Sequence, residues 1–97
     1  PPMNLIPEQR EGRSVLFGIR PEHLEPCAES GAKMVVEVDL IERLGADTLV
    51  YGHLASNPAG GVAARLGAAV DARAGRLPLR YDPAQVHYFD AGTGARL

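Results

Sequence analysis

The sequence predicts a small all-β barrel or sandwich with short helical turns. Two observations carry that expectation. Eleven glycines and eight prolines in 97 residues break the chain too often for long helices, because proline lacks the amide donor and glycine loses the most backbone freedom on ordering. Between these breaks, short runs alternate apolar and polar residues at the two-residue period of a strand. Turn signals every 8 to 12 residues or so suit a barrel or sandwich better than alternating β and α units.

Taken in order, Ser14–Arg20 (SVLFGIR) reads as a strand closed by Pro21, and Pro21–Leu24 as at most one helical turn with proline at its first position. Met34, Val36, Val38 and Leu40 alternate with Glu37 and Asp39, the clearest strand in the chain. The alternation breaks at Leu40-Ile41, as a bulge would break it, and Gly45-Ala46-Asp47 supplies a turn. Thr48–Leu54 is apolar on both faces and rich in β-formers, as a central strand is, and Gly52 within it marks close backbone approach or a bend.

Ser56–Gly61 (SNPAGG) has loop composition, and Val62, Ala64 and Leu66 alternate in a strand that forms a hairpin with the preceding one. Ala68–Gly75 reads as a linker with a turn, too short between its glycines for a helix. Leu77, Leu79 and Tyr81 make a strand that Pro78 confines to an edge or a bulge. Asp82-Pro83 opens a turn, Val86–Phe89 is the last strand, and Asp90–Gly94 turns again. The pattern places Val36, Val38, Leu40, Leu49, Tyr51, Leu66, Leu79 and Phe89 in the core.

Length makes this one domain, residues 1–97. A single cysteine, Cys27, excludes an internal disulfide framework, and a net charge of −2 with one lysine, Lys33, offers no electrostatic footprint for nucleic acid. No apolar run approaches the ~20 residues of a spanning helix. The sequence starts at Pro1 with no signal-peptide pattern, so it reads as a fragment of a longer chain.

Chemical motifs are sparse. His23, His53 and His87 stand 30 and 34 residues apart, without the short spacing that sets two metal ligands on one face. His87, between Val86 and Tyr88, is expected to face a carboxylate such as Asp82 or Asp90. No serine lies in a nucleophile elbow, Cys27 has acidic neighbours that discourage a thiolate, and no Gly-rich loop ends in Lys-Ser or Lys-Thr. A catalytic residue, a cofactor site and a metal site are all absent from this reading.

Four segments occur in a telling order: Pro2–Leu5 (PMNL), Gly18–Leu24 (GIRPEHL), Leu44–Gly52 (LGADTLVYG) and Tyr81–Asp90 (YDPAQVHYFD), followed by Thr93–Leu97. Together they resemble the C-terminal transport-associated OB (TOBE) domain of ATP-binding subunits of carbohydrate-type ABC importers, the maltose and glycerol-3-phosphate group. The resemblance covers nearly the whole chain. It implies an OB-type barrel that regulates and dimerises a subunit whose nucleotide-binding domain, with its ATP and magnesium, lies outside these 97 residues.

It further implies a second copy of the subunit, its own nucleotide-binding domain, the membrane permeases and a regulatory protein as partners, and a place on the cytoplasmic face of the membrane. The family-motif positions Gly18, Arg20, Pro21, Glu22, His23, Asp82, Pro83, His87, Phe89 and Asp90 are expected to act as folding or interface determinants. Gly18 allows close packing, Arg20 and Glu22 pair to fix the turn, Phe89 is core and Asp90 a turn former. Val35 and Ile41, opposite the main core set, are the candidate dimer contact. The alternative is an OB-type module that itself binds a small anion, against which the arginines are dispersed along the sequence.

Overall fold

The computed structural model describes residues 2–68 and 75–97. Among them the strands are β1 (Asn4–Arg10), β2 (Arg13–Ile19), β3 (Glu25–Pro26), β4 (Met34–Leu44), β5 (Asp47–Leu54), β6 (Asn57–Gly67), β7 (Gly75–Arg80) and β8 (His87–Asp90). Short 3-10 turns lie at Pro21–His23, Glu29–Gly31 and Pro83–Gln85. A three-stranded sheet runs β1-β2-β8 and a five-stranded sheet β3-β7-β4-β5-β6, with every pairing antiparallel. This is the all-β fold that the glycine and proline content and the period-2 runs predict.

One strand lies where the sequence reading set no element, and one loop of that reading is a strand. Asn4–Arg10 has no apolar alternation and contains Pro7, yet it forms β1. It does so at a sheet edge, where Pro7, opposite Leu16, has no second ladder to serve. The turn that joins β1 to β2 is Glu11-Gly12 with φ of +54° and +74°, the left-handed pair of a type I′ hairpin. The loop expected over Ser56–Gly61 shrinks to a turn at Ala55-Ser56, and β6 already runs from Asn57. Gly60 and Gly61 are thus strand residues, with Gly61 opposite His53. Their composition suits a loop, and the β5–β6 register does shift there, from His53 opposite Gly61 to Leu54 opposite Asn57, so Gly60 lies in an irregular stretch of the strand.

Pro78 lies in a paired strand rather than at an outer edge. Its carbonyl accepts from the Cys27 N–H at 3.1 Å, so its missing donor faces the two-residue β3, where almost no ladder is lost. The linker expected at Ala68–Gly75 falls mostly outside the described residues.

The core lies between the sheets. Ile6, Phe17 and Ile19 come from one, Val36, Val50, Val62, Ala64, Leu66 and Leu79 from the other, and Leu24 follows the first 3-10 turn. Each fully buried aliphatic side chain contributes about 1.5–3 kcal/mol by leaving water. Of the expected core, Val36, Leu49, Leu66 and Leu79 are buried and Val38, Tyr51 and Phe89 half-buried. Leu40 is 55% exposed, which corrects the sequence reading. The cause is a bulge: Val38 pairs with Gly52 and Leu40 with Tyr51, so Asp39 is an extra residue and the strand changes phase.

Candidate functional site

The two family-motif segments meet where β2 pairs with β8. Gly18 lies opposite His87 and is buried. A Cβ there would stand 2.8 Å from Met3 Sδ and 2.8 Å from Phe89 Cε2, so glycine permits the ring of Phe89 to cover the strand. Pro21 is buried at the head of its 3-10 turn, which packs against β6. That turn is closed by the backbone, with the His23 N–H donating to the Arg20 carbonyl at 3.0 Å. Among the described residues no ion pair joins Arg20 to Glu22, contrary to expectation; both are exposed and point the turn's charge into water.

The second segment is built on side-chain caps. Asp82 Oδ1 accepts from the Ala84 N–H at 2.9 Å and caps the turn that Pro83 begins. Asp90 Oδ1 accepts from the Gly92 and Thr93 N–H groups at 2.8 and 2.9 Å, while Oδ2 receives Arg13 at 3.0 Å. These donors, the Thr93 amide first and Arg13 next, pull the Asp90 pKa down to about 2. Among the described residues neither aspartate pairs with the His87 Nδ1, contrary to expectation. His87 Nδ1 and His23 Nδ1 are buried with no hydrogen-bond partner among the described residues. His53 does find one, Asp39 Oδ2 at 3.0 Å, because the bulge turns Asp39 toward β5.

The bulge also decides which apolar side chains reach water. Val36, Val38 and Ile41 face the core side of β4, and Ile41 is partly buried against the core. Val35 is half-buried beside Pro78. The outer positions are taken instead by Leu40 and Leu44, 55% and 52% exposed. Leu40, Tyr51 and Ala63 form one row across β4, β5 and β6. Beyond Ala63 the row continues into a cleft of about 360 Å³ lined by Met3, Leu5 and Tyr51. The phase break at Leu40-Ile41 was the signal for this face; its direction follows only from knowing which residue is extra.

Charge on the fold is mostly paired. Arg65 donates two bonds to Asp47, Arg76 two to Glu29, and Arg80 one to Glu25. These guanidinium groups thus neutralise carboxylates on β5, on the second 3-10 turn and on β3, and do not converge on a shared anion site. Among the described residues no group of three or more histidine, cysteine or carboxylate side chains gathers to hold a metal, and no helix is long and apolar enough to cross a membrane.

Comparison with known proteins places this geometry. The TOBE domain family matches residues 17–89, from the core residue Phe17 to the ring that covers Gly18. The chain belongs to the TOBE domain family. This TOBE domain is 44% identical over 98 residues to the sn-glycerol-3-phosphate import ATP-binding protein UgpC of Ralstonia nicotianae, covering 99% of the chain and 25% of that protein. It is 43% identical over 83 residues to UgpC of Cupriavidus pinatubonensis, covering 84% of the chain and 22% of that protein. The sulfoquinovosyl glycerol transport ATP-binding protein SmoE of Agrobacterium fabrum is 38% identical over 84 residues, covering 86% of the chain and 23% of that protein. The TOBE domain thus spans about a quarter of the length of the curated relatives it matches.

Proposed function

We propose that this TOBE domain is the regulatory and dimerising part of an ATP-binding subunit of an ABC importer for sugars or glycerol 3-phosphate. The observation that carries the reading is likeness along 99% of the chain to an import ATP-binding protein. ATP and magnesium belong to a nucleotide-binding domain outside these residues, and hydrolysis there drives uptake. The parent subunit then sits against its permeases on the cytoplasmic face of the membrane.

The dimerising role has a physical basis in the outer face of the five-stranded sheet. Leu40, Leu44 and Leu5 are each about half exposed, at 55%, 52% and 50%. Leu40 and Leu5 lie at opposite ends of the row through Tyr51 and Ala63. A second copy applied through a two-fold axis covers the same patch on both partners, the commonest arrangement in homo-oligomers. The candidate contact therefore moves from Val35 and Ile41 to Leu40, Leu44 and Tyr51.

Sedimentation velocity of the chain across concentrations tests this. Concentration-dependent dimers that Leu40→Asp abolishes support the reading. A full-length subunit that is strictly monomeric, with ATPase activity unchanged when these 97 residues are deleted, overturns it.

A further inference from the structure

The bulge in β4 places a titratable pair beside the outer face. Two rows run next to each other across that face. One is Leu40, Tyr51 and Ala63; the other is Arg76, Glu37, His53 and Gly61, from β7 through β4 and β5 to β6. Asp39, the extra residue of β4, comes between Glu37 and Leu40, and its Oδ2 meets His53 Nδ1 at 3.0 Å. Facing a carboxylate, that ring nitrogen has to carry a proton. The contact ties the bulge to β5 just where the bulge turns Leu40 outward.

The rim of the apolar row is acidic. Glu42 is hydrogen-bonded to the Tyr51 side chain. Glu37, opposite His53, has the Arg76 guanidinium at 3.6 Å, and Gly61, on the other side of His53, brings no charge. Among the described residues His53 is the one group at Asp39 able to cancel its charge. A two-fold axis through the Leu40 row brings the Asp39 and Glu42 carboxylates of both copies toward one interface, where like charges oppose contact. Carboxylates and guanidinium groups ordinarily keep their charge between pH 6 and pH 8, whereas histidine is the side chain whose charge changes near there. A protonated His53 turns the contact with Asp39 into an ion pair, which holds the bulge more firmly and takes one negative charge off the rim of each copy.

Given the dimer reading of this face, on which the idea rests, we propose that protonation of His53 strengthens self-association, so that the dimer is tight near pH 6 and loosens toward pH 8. By reciprocity, association in turn raises the affinity of His53 for its proton.

Sedimentation velocity of the chain at pH 6 and pH 8, at one ionic strength, tests this beside His53→Gln and Asp39→Asn, with melting temperatures at both pH values to show that each variant is folded. The unmodified chain is expected to dimerise about three- to tenfold more tightly at pH 6, as two partly exposed ion pairs allow. His53→Gln keeps a donor for Asp39 but no titratable charge, so its dimer constant is the same at both pH values. Asp39→Asn removes the rim charge, so its dimer at pH 8 is at least as tight as that of the unmodified chain. His23 and His87 remain in both variants, and a pH dependence that survives in folded His53→Gln belongs to them and overturns the proposal. A folded Asp39→Asn with a weaker dimer at pH 8 also overturns it. Equal dimer constants for the unmodified chain at the two pH values overturn the proposal and leave the dimer reading standing, whereas absence of dimers at both overturns the two together.

Discussion

Asn4 and Ala63 exchange two hydrogen bonds across the seam between the sheets. Asn4 Nδ2 donates to the Ala63 carbonyl at 2.8 Å, and the Ala63 N–H donates to Asn4 Oδ1 at 2.7 Å. A side-chain amide thus does for the edge of β6 what the backbone of a further strand would do. Asn4 is itself buried, at 7% exposure, so neither bond competes with bulk water.

Asn4→Ala is therefore expected to destabilise the domain by about 2–3 kcal/mol, since it leaves both Ala63 groups without their partner. For a domain of this size that lowers the melting temperature by roughly 10–20 °C. The neighbouring exposed Leu5→Ser should stay within about 0.5 kcal/mol in the monomer. Thermal unfolding at low protein concentration, followed by circular dichroism, compares the two. Equal melting temperatures for Asn4→Ala and the unmodified chain would show that the seam holds without this amide.

Two glycines give an ordered pair of effects. A Cβ at Gly52 would run into the Glu37 carbonyl oxygen and stand 2.6 Å from Val36 Cγ1, so backbone has to move. At Gly18 the closest atoms belong to the Met3 and Phe89 side chains, and Met3 can swing aside. Gly52→Ala is expected to cost about 3 kcal/mol and Gly18→Ala about 1–2 kcal/mol, within the range for overpacked interiors. Urea unfolding of both variants measures this, and a larger loss for Gly18→Ala would reverse the argument.

The bulge explains which parts of the fold were legible in the sequence. Val36, Leu66 and Leu79 lie in strands whose phase is set by alternation, and they are buried as that pattern requires. Leu40 and Ile41 sit just after an extra residue, and alternation alone does not say which of them turns inward. β1 was illegible for another reason: an edge strand held by Asn4 and a type I′ turn needs little apolar content of its own. The motif segments told their order and family, but only the fold shows Gly18, His87 and Phe89 together. Phase reversal predicts that Ile41→Ala destabilises by about 1–2 kcal/mol, as loss of a half-buried side chain does. Leu40→Ala should change monomer stability by less than about 0.5 kcal/mol. The opposite ranking in chemical denaturation would restore Leu40 to the core.

Asp90 links the last turn to the pH dependence of stability. Its folded pKa of about 2 lies below the usual 3.8, first through the Thr93 N–H and then through Arg13. A carboxyl held more acidic in the folded state than in the unfolded chain stabilises the fold fully above the unfolded value. That stabilisation is lost as pH falls from about 4 to about 2, because only the ionised form favours the folded chain there. Asp90→Asn keeps an oxygen for the turn amides but no charge for Arg13. The melting-temperature gap between the unmodified chain and Asp90→Asn is therefore expected to be widest at pH 5–6 and to close toward pH 2. Arg13→Gln should raise the Asp90 pKa yet leave it below 3.8, since the Thr93 amide, the larger cause, remains. A ¹³C carboxyl titration of Asp90 in both backgrounds reads this directly. A gap that stays constant from pH 6 to pH 2 would place the turn's strength in backbone geometry alone. An Asp90 that titrates normally once Arg13 is gone would make the ion pair, not the turn amides, the cause of the shift.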